Sequence, residues 1–272
     1  MNKYKLIAFD MDGTLLNSEK KIKKESIEAI EKAFDAGKEV ILCTGRCIAE
    51  LNDYIEQIPR LRYVVGVSGA LVYDIKEDNE IYVQAISIEQ VHEILKVAKT
   101  VDAMPHILTH ESIVSRSDFE NMEHFDMKTY IPLFDKVATK VGDIFRYYNE
   151  HEMPVAKLNI YHVSPEERDK TKEKLKDMDL IMADAERTSV EISANGTTKG
   201  TGLEQLCKYL GITMDEVIAV GDADNDIDVL SKVGLSIAMG NANEKVKSIC
   251  DVIVSDCDSD GCVEAIEKYL LD

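Results

Sequence analysis

Apolar residues along this chain come in two rhythms. Short apolar runs, Leu6-Ile7-Ala8-Phe9, Glu39-Val40-Ile41-Leu42-Cys43 and Glu216-Val217-Ile218-Ala219-Val220, the last two opened by a glutamate, each stop at a glycine or polar residue. Bounded runs of this length read as strands buried on both faces. Between them, segments 22–36 and 200–210 place apolar residues at helical spacing, with Gly37 and Gly211 positioned to end the helices. Strand, helix and strand of this length imply right-handed parallel crossovers. Further strands are expected at 64–67, 235–238 and 252–254, and helices at 46–58, 227–232, 244–249 and 263–271. Segments 71–73 and 81–83 read as a hairpin.

From about Gln84 the pattern changes. A helix is expected at 88–101 and another at 165–176, with short strands at 106–109, 112–115, 155–162, 180–183 and 189–192. Segment 118–135 has no clear period. Strands and helices without regular alternation indicate an α+β insert. The expected fold is α/β: a doubly wound, Rossmann-like parallel sheet core from 1–83 and 193–272, interrupted by an α+β cap over 84–192.

Length and composition narrow the classes. At 272 residues the chain has room for two domains, and 45% hydrophobic with 31% charged residues excludes a disordered polymer. Asp plus Glu outnumber Lys plus Arg, 51 to 32, for a formal charge of -19. Such a field repels phosphate backbones, so nucleic acid is not an expected partner. No run approaches the ~20 apolar residues of a membrane helix, and the first is cut short by Asp10. The six cysteines form no Cys-x-x-Cys pair and read as reduced thiols. A cytoplasmic protein, monomer or homodimer, is expected.

The candidate chemistry sits where the strands stop. Asp10-Met11-Asp12-Gly13-Thr14 follows the first strand, and Thr44-Gly45-Arg46 the second. Lys199 opens a helix, and Asp222, Asn225 and Asp226 follow a late strand. In open α/β sheets ligands bind at this end of the strands. Two carboxylates at Asp10 and Asp12 repel unless a cation or a proton intervenes, which a magnesium site with a nucleophilic carboxylate provides. In that arrangement Asp10 attacks phosphorus, and magnesium bridges Asp10, Asp222 and a phosphate oxygen. Thr44 and Gly45 hold phosphate oxygens, Lys199 neutralises the phosphoryl charge, and Asn225 contacts phosphate or orients Asp12. Asp12 serves as general acid and then general base, and Asp226 supports metal-bound water. Arg46 reads as surface or an ion pair, and His106, His110, Arg116 and His124 of the insert as solvated residues or, alternatively, as substrate contacts.

These motifs, in this order along the whole chain, resemble the haloacid dehalogenase-like superfamily of phosphotransferases, and within it the Cof-type hydrolases with a large α/β cap. The resemblance implies a magnesium-dependent phosphatase acting on a small phosphorylated metabolite through an aspartyl phosphate. It implies magnesium bound by Asp10, Asp222 and the Met11 or Asp12 backbone carbonyl, with phosphate held by Thr44, Gly45, Lys199 and Asn225. A cap that closes over the leaving group is expected to set specificity. Ser68-Gly69-Ala70 departs from the usual Asn-Gly-Ala of that family. A phosphomutase on the same core and a catalytically silent metabolite-binding regulator are the alternative readings.

Overall fold

In the computed structural model, which describes residues 3–272, the chain packs as two units. The first takes the chain up to Arg46, Leu51–Tyr82 and Thr198–Asp272; the second takes Cys47–Glu50 and Val83–Thr197. In chain order the first unit begins with strands β1 (Leu6–Phe9), β2 (Glu39–Cys43), β3 (Tyr63–Gly66), β4 (Leu71–Asp74) and β5 (Asn79–Val83). The second unit carries β6 (Ala103–Leu108), β7 (Ser112–Ser115), β8 (Ala138–Val141), β9 (Lys157–His162), β10 (Leu180–Ala185) and β11 (Ser189–Ala194). The chain then returns to the first with β12 (Val217–Gly221), β13 (Leu235–Ala238) and β14 (Val252–Ile253).

The first sheet runs β14-β13-β12-β1-β2-β3-β4-β5 and is parallel from β14 to β3. β1 is therefore the switch point, with β2 on one flank and β12, some 200 residues later, on the other. Its four residues are all buried, as expected where helices cover both faces. Leu6, Ala8, Ile41, Val65, Val217 and Ala219 pack with Leu203 and Leu206 of the helix Lys199–Leu210. That register carries the ends of β12, β1 and β2 to one edge, and the loops that follow them leave side by side.

The second sheet runs β10-β11-β9-β6-β7-β8 and is antiparallel except at β7–β8. Helices Ile88–Ala98, Ile144–Glu150 and Pro165–Leu175 bury Ile94, Leu95, Ile144, Tyr148 and Leu175 against Leu158, Ile160 and Ile192 of the sheet. This is the α+β insert in an α/β core.

Several elements differ from those expected. Segment 46–58 is not one helix but a 3-10 turn, Ile48–Leu51, and a short helix, Asn52–Ile55. The Ala49 amide bonds to the His110 carbonyl instead of to a preceding turn, which gives Cys47–Glu50 to the second unit. β8 and the helix Ile144–Glu150 match no expected element, and the closing helix expected at 263–271 begins at Gly261 and ends in a π-helical turn, Ile266–Leu270.

Candidate active site

Asp10 leaves the end of β1 with its amide bonded to the Val220 carbonyl of β12, at 3.0 Å. Asp10 is only 6% exposed. Lys199, the first residue of its helix, is 1% exposed and donates to Asp10 Oδ1 at 2.5 Å and Asp226 Oδ1 at 2.7 Å. A cation at a helix N-terminus opposes the macrodipole, so the two carboxylates are what keep it there. Asp226 Oδ2 accepts from the Asp222 and Ala223 amides, at 3.0 and 3.1 Å. Asp226 thus ties the β12 loop to Lys199.

Asp222 accepts a hydrogen bond from the Thr14 hydroxyl at 3.0 Å. Gly13, at φ +84°, passes so close that a Cβ on it would lie 2.5 Å from Asp222 Oδ2. The glycine is required here by the turn and by the space. The Gly13 carbonyl accepts from Asn241 Nδ2 at 2.8 Å, and Asn241 Oδ1 accepts from the Cys257 amide at 2.9 Å. Sequence reasoning passed over Asn241. Its signal was position, because it lies just beyond β13 at the same sheet edge.

Asp10, Asp222 and Asp226 each offer a carboxylate oxygen within 4.8 Å of the others. The Asp12 side chain goes elsewhere. Arg46 Nε and Nη2 grip both its oxygens at 2.9 and 2.8 Å, and Lys20 Nζ reaches Oδ1 at 2.8 Å. The chain has already begun to turn, with Leu15 and Leu16 amides bonded back to the Asp10 and Met11 carbonyls. Asp12 is thus paired with cations of its own and stands outside the acidic trio. Arg46 makes the ion pair expected as one of its two readings.

Thr44 is buried; its amide bonds to Val65 O at 2.8 Å, and its carbonyl accepts from Ser68 N–H at 3.0 Å. Gly45 follows it in the loop after β2, beside the Asp10 loop. Asn225 is exposed in the turn Asp224–Asp226. His106, set down in the sequence as solvated, is buried and hydrogen-bonded to Ser112 Oγ at 2.8 Å. Burial pushes its pKa down to about 3, with the Lys157 charge adding to the effect.

Electrostatics follow from burial. Burial lifts the Asp10 carboxyl to about 7, the Lys199 ammonium pulls it back, and Asp226 adds to the rise. Burial also disfavours the Lys199 ammonium, but Asp10 and Asp226 outweigh it and hold its pKa above that of an ordinary lysine. Asp222 is raised by burial, with the Thr14 hydroxyl opposing. Burial pushes Asp12 up, yet the Arg46 hydrogen bonds and charge more than reverse this, so it sits below the ordinary value. Three carboxylates around one ammonium leave two negative charges uncompensated when all are ionised. The donors are hard oxygens at a sheet edge, a set that fits magnesium.

The arrangement matches known proteins along nearly its whole length. Residues 7–266 fit the family model of haloacid dehalogenase-like hydrolases. The chain is 27% identical over 270 residues to a 5-amino-6-(5-phospho-D-ribitylamino)uracil phosphatase of Bacillus subtilis, covering 98% of this chain and 96% of that one. To the pyridoxal phosphate phosphatase of Escherichia coli it is 25% identical over 280 residues, covering 98% and 99%. A haloacid dehalogenase-like hydrolase from Bacteroides thetaiotaomicron superposes with a TM-score of 0.84 at 26% identity, covering 97% and 99%. The chain belongs to the haloacid dehalogenase-like hydrolases, in the Cof-type branch with an inserted α/β cap. It is a phosphatase of that family, a family that typically uses magnesium and an aspartyl-phosphate mechanism. No helix among the described residues is long and apolar enough to cross a membrane.

Proposed function

We propose that the protein hydrolyses a small phosphate monoester, of the size of a phosphorylated sugar or vitamin, with magnesium and with Asp10 as nucleophile. The observation that carries this reading is Asp10, buried at the end of β1 and bonded to Lys199, with Asp222 in reach. Relatives named for a ribityl phosphate and for pyridoxal phosphate support that substrate class.

Asp10 and Asp222, with the Met11 or Asp12 backbone carbonyl, would hold the magnesium ion, which when bound supplies positive charge to the carboxylates and the phosphoryl oxygens. Lys199 favours the ionised form of Asp10 against the effect of burial, and faces the phosphoryl charge. An Asp10 oxygen bonds to phosphorus as the ester oxygen departs, taking a proton from Asp12. Water then attacks phosphorus, giving a proton to Asp12, and the bond to Asp10 breaks to release inorganic phosphate. Thr44, Gly45 and Asn225 hold the phosphoryl oxygens. Asp226 acts by fixing Lys199 and the Asp222 amide. For Asp12 to serve, it must leave Arg46 and Lys20 and take up a proton from solvent, which it then gives to the substrate's leaving oxygen. The two charges that hold it ionised in this structure suit the resting state.

The test is phosphate release from a panel of phosphorylated metabolites, with magnesium or with EDTA. Turnover should require magnesium, and Asp10→Asn should reduce it by at least about a thousandfold, as expected for loss of a covalent nucleophile. Turnover that survives Asp10→Asn would remove Asp10 from the chemistry.

A further inference from the structure

The segment Ser68-Gly69-Ala70 takes no part in the chemistry above, yet the backbone there is unusual. Val67, Ser68 and Gly69 follow one another at φ +51°, +58° and +95°, the only such run among the described residues. A left-handed β-branched residue is an outlier. Something holds the turn in this shape, and the neighbours show what. Val67 N–H donates to the Arg46 carbonyl at 2.9 Å and Ser68 N–H to the Thr44 carbonyl at 3.0 Å, so Thr44-Gly45-Arg46 hangs from the turn at both ends.

On its other side the turn meets the start of the Lys199 helix. A Cβ on Gly69 would lie 1.8 Å from the Thr198 carbonyl oxygen and 2.9 Å from the Lys199 nitrogen. A Cβ on Gly202, one turn into the helix, would lie 2.7 Å from the Gly69 carbonyl oxygen. Backbone rests on backbone, with no side chain between to absorb a displacement.

We propose that the Val67–Gly69 turn is a positioning device, with Gly69 as its positioning residue. It sets Lys199 against Asp10 and holds that lysine at a fixed separation from the Thr44-Gly45 loop. The proposal rests on the reading that these groups hold the phosphoryl group. A side chain at Gly69 pushes on Thr198 and so withdraws Lys199 from partners 2.5 and 2.7 Å away.

The experiment compares Gly69→Ala with Gly211→Ala in the full chain. Gly211 ends the same helix at φ +69° with nothing within 4 Å of its missing Cβ. Steady-state rates on p-nitrophenyl phosphate and inhibition by inorganic phosphate are measured for each folded variant. Gly69→Ala should lower kcat by about a hundredfold, as an ångström-scale misplacement can, and weaken phosphate inhibition. Gly211→Ala should lower the melting temperature and leave kcat alone. In a Lys199→Met background Gly69→Ala should cost little more, because both act through the same ammonium. Equal losses in the two glycine variants, an unchanged kcat in Gly69→Ala, or full additivity with Lys199→Met would each overturn the proposal. If Gly69→Ala does not fold, Ser68→Gly takes its place. That change loosens the turn without adding an atom, and unchanged phosphate inhibition would overturn the idea equally. Wild-type turnover that persists in Asp10→Asn would instead sink the reading of the site, whatever Gly69 does.

Discussion

Asp10 carries two conflicting demands: as a nucleophile it must be ionised, and burial opposes ionisation. Its carboxyl sits at about 7, against an ordinary 3.8. Between those values the folded protein keeps a proton that the unfolded chain has released. The contribution to stability is therefore full below pH ~4 and is lost as the pH rises through ~7. Magnesium competes for the same oxygens, so its binding expels that proton. The rise in melting temperature on adding magnesium should grow from pH ~5 to ~7 and level off above it. Asp10→Asn should flatten that dependence. A magnesium effect that is already independent of pH in the wild type would mean that another group is displaced.

The Lys199–Leu210 helix shows how one element serves both stability and the site. Thr198 caps it, accepting from the Thr201 amide at 3.0 Å, and its hydroxyl also bonds to Asp228. Thr198→Ala should cost about 1–2 kcal/mol, read from the urea midpoint at unchanged m-value. No loss would mean that the backbone contact with Gly69, not the cap, fixes the helix start. Much of this element was legible in the chain. Gly211 was placed as the stop and adopts φ +69°, and Lys199 stood out as a cation at the wrong end of a helix. The ranges of β2, β13 and the helix Glu244–Ile249 coincide with those read from the hydrophobic pattern. What was not legible depended on partners distant in sequence. β8 is a short edge strand with one exposed and three half-buried residues, so its alternation carries no apolar signal. The Asp12–Arg46 pair and the Asn241 bridge arise only once separate loops meet. The Val67–Gly69 turn costs on the order of 1–3 kcal/mol per strained residue, and local preference alone argues against it.

The molecule as a whole keeps its candidate chemistry in one unit. Asp10, Asp12, Thr44, Lys199, Asp222 and Asp226 all fall in the first, whose chain is broken by Val83–Thr197. That interruption has its own sheet and its own apolar cluster, with Val91, Ile94, Ile107, Leu158, Ile160 and Ile192 wholly buried. Its length is that of an ordinary domain. A fragment of residues 83–197 should therefore fold alone with a cooperative thermal transition, even without the Ala49 amide that bonds to His110. Magnesium should raise the melting temperature of the full chain and leave that of the fragment unmoved, because a ligand stabilises only the state that binds it. Calorimetry of the two with and without the ion makes the comparison. A fragment that melts without cooperativity would show that the insert depends on the core for its stability. A fragment stabilised by magnesium would place a cation site outside the acidic trio at the end of β1 and β12.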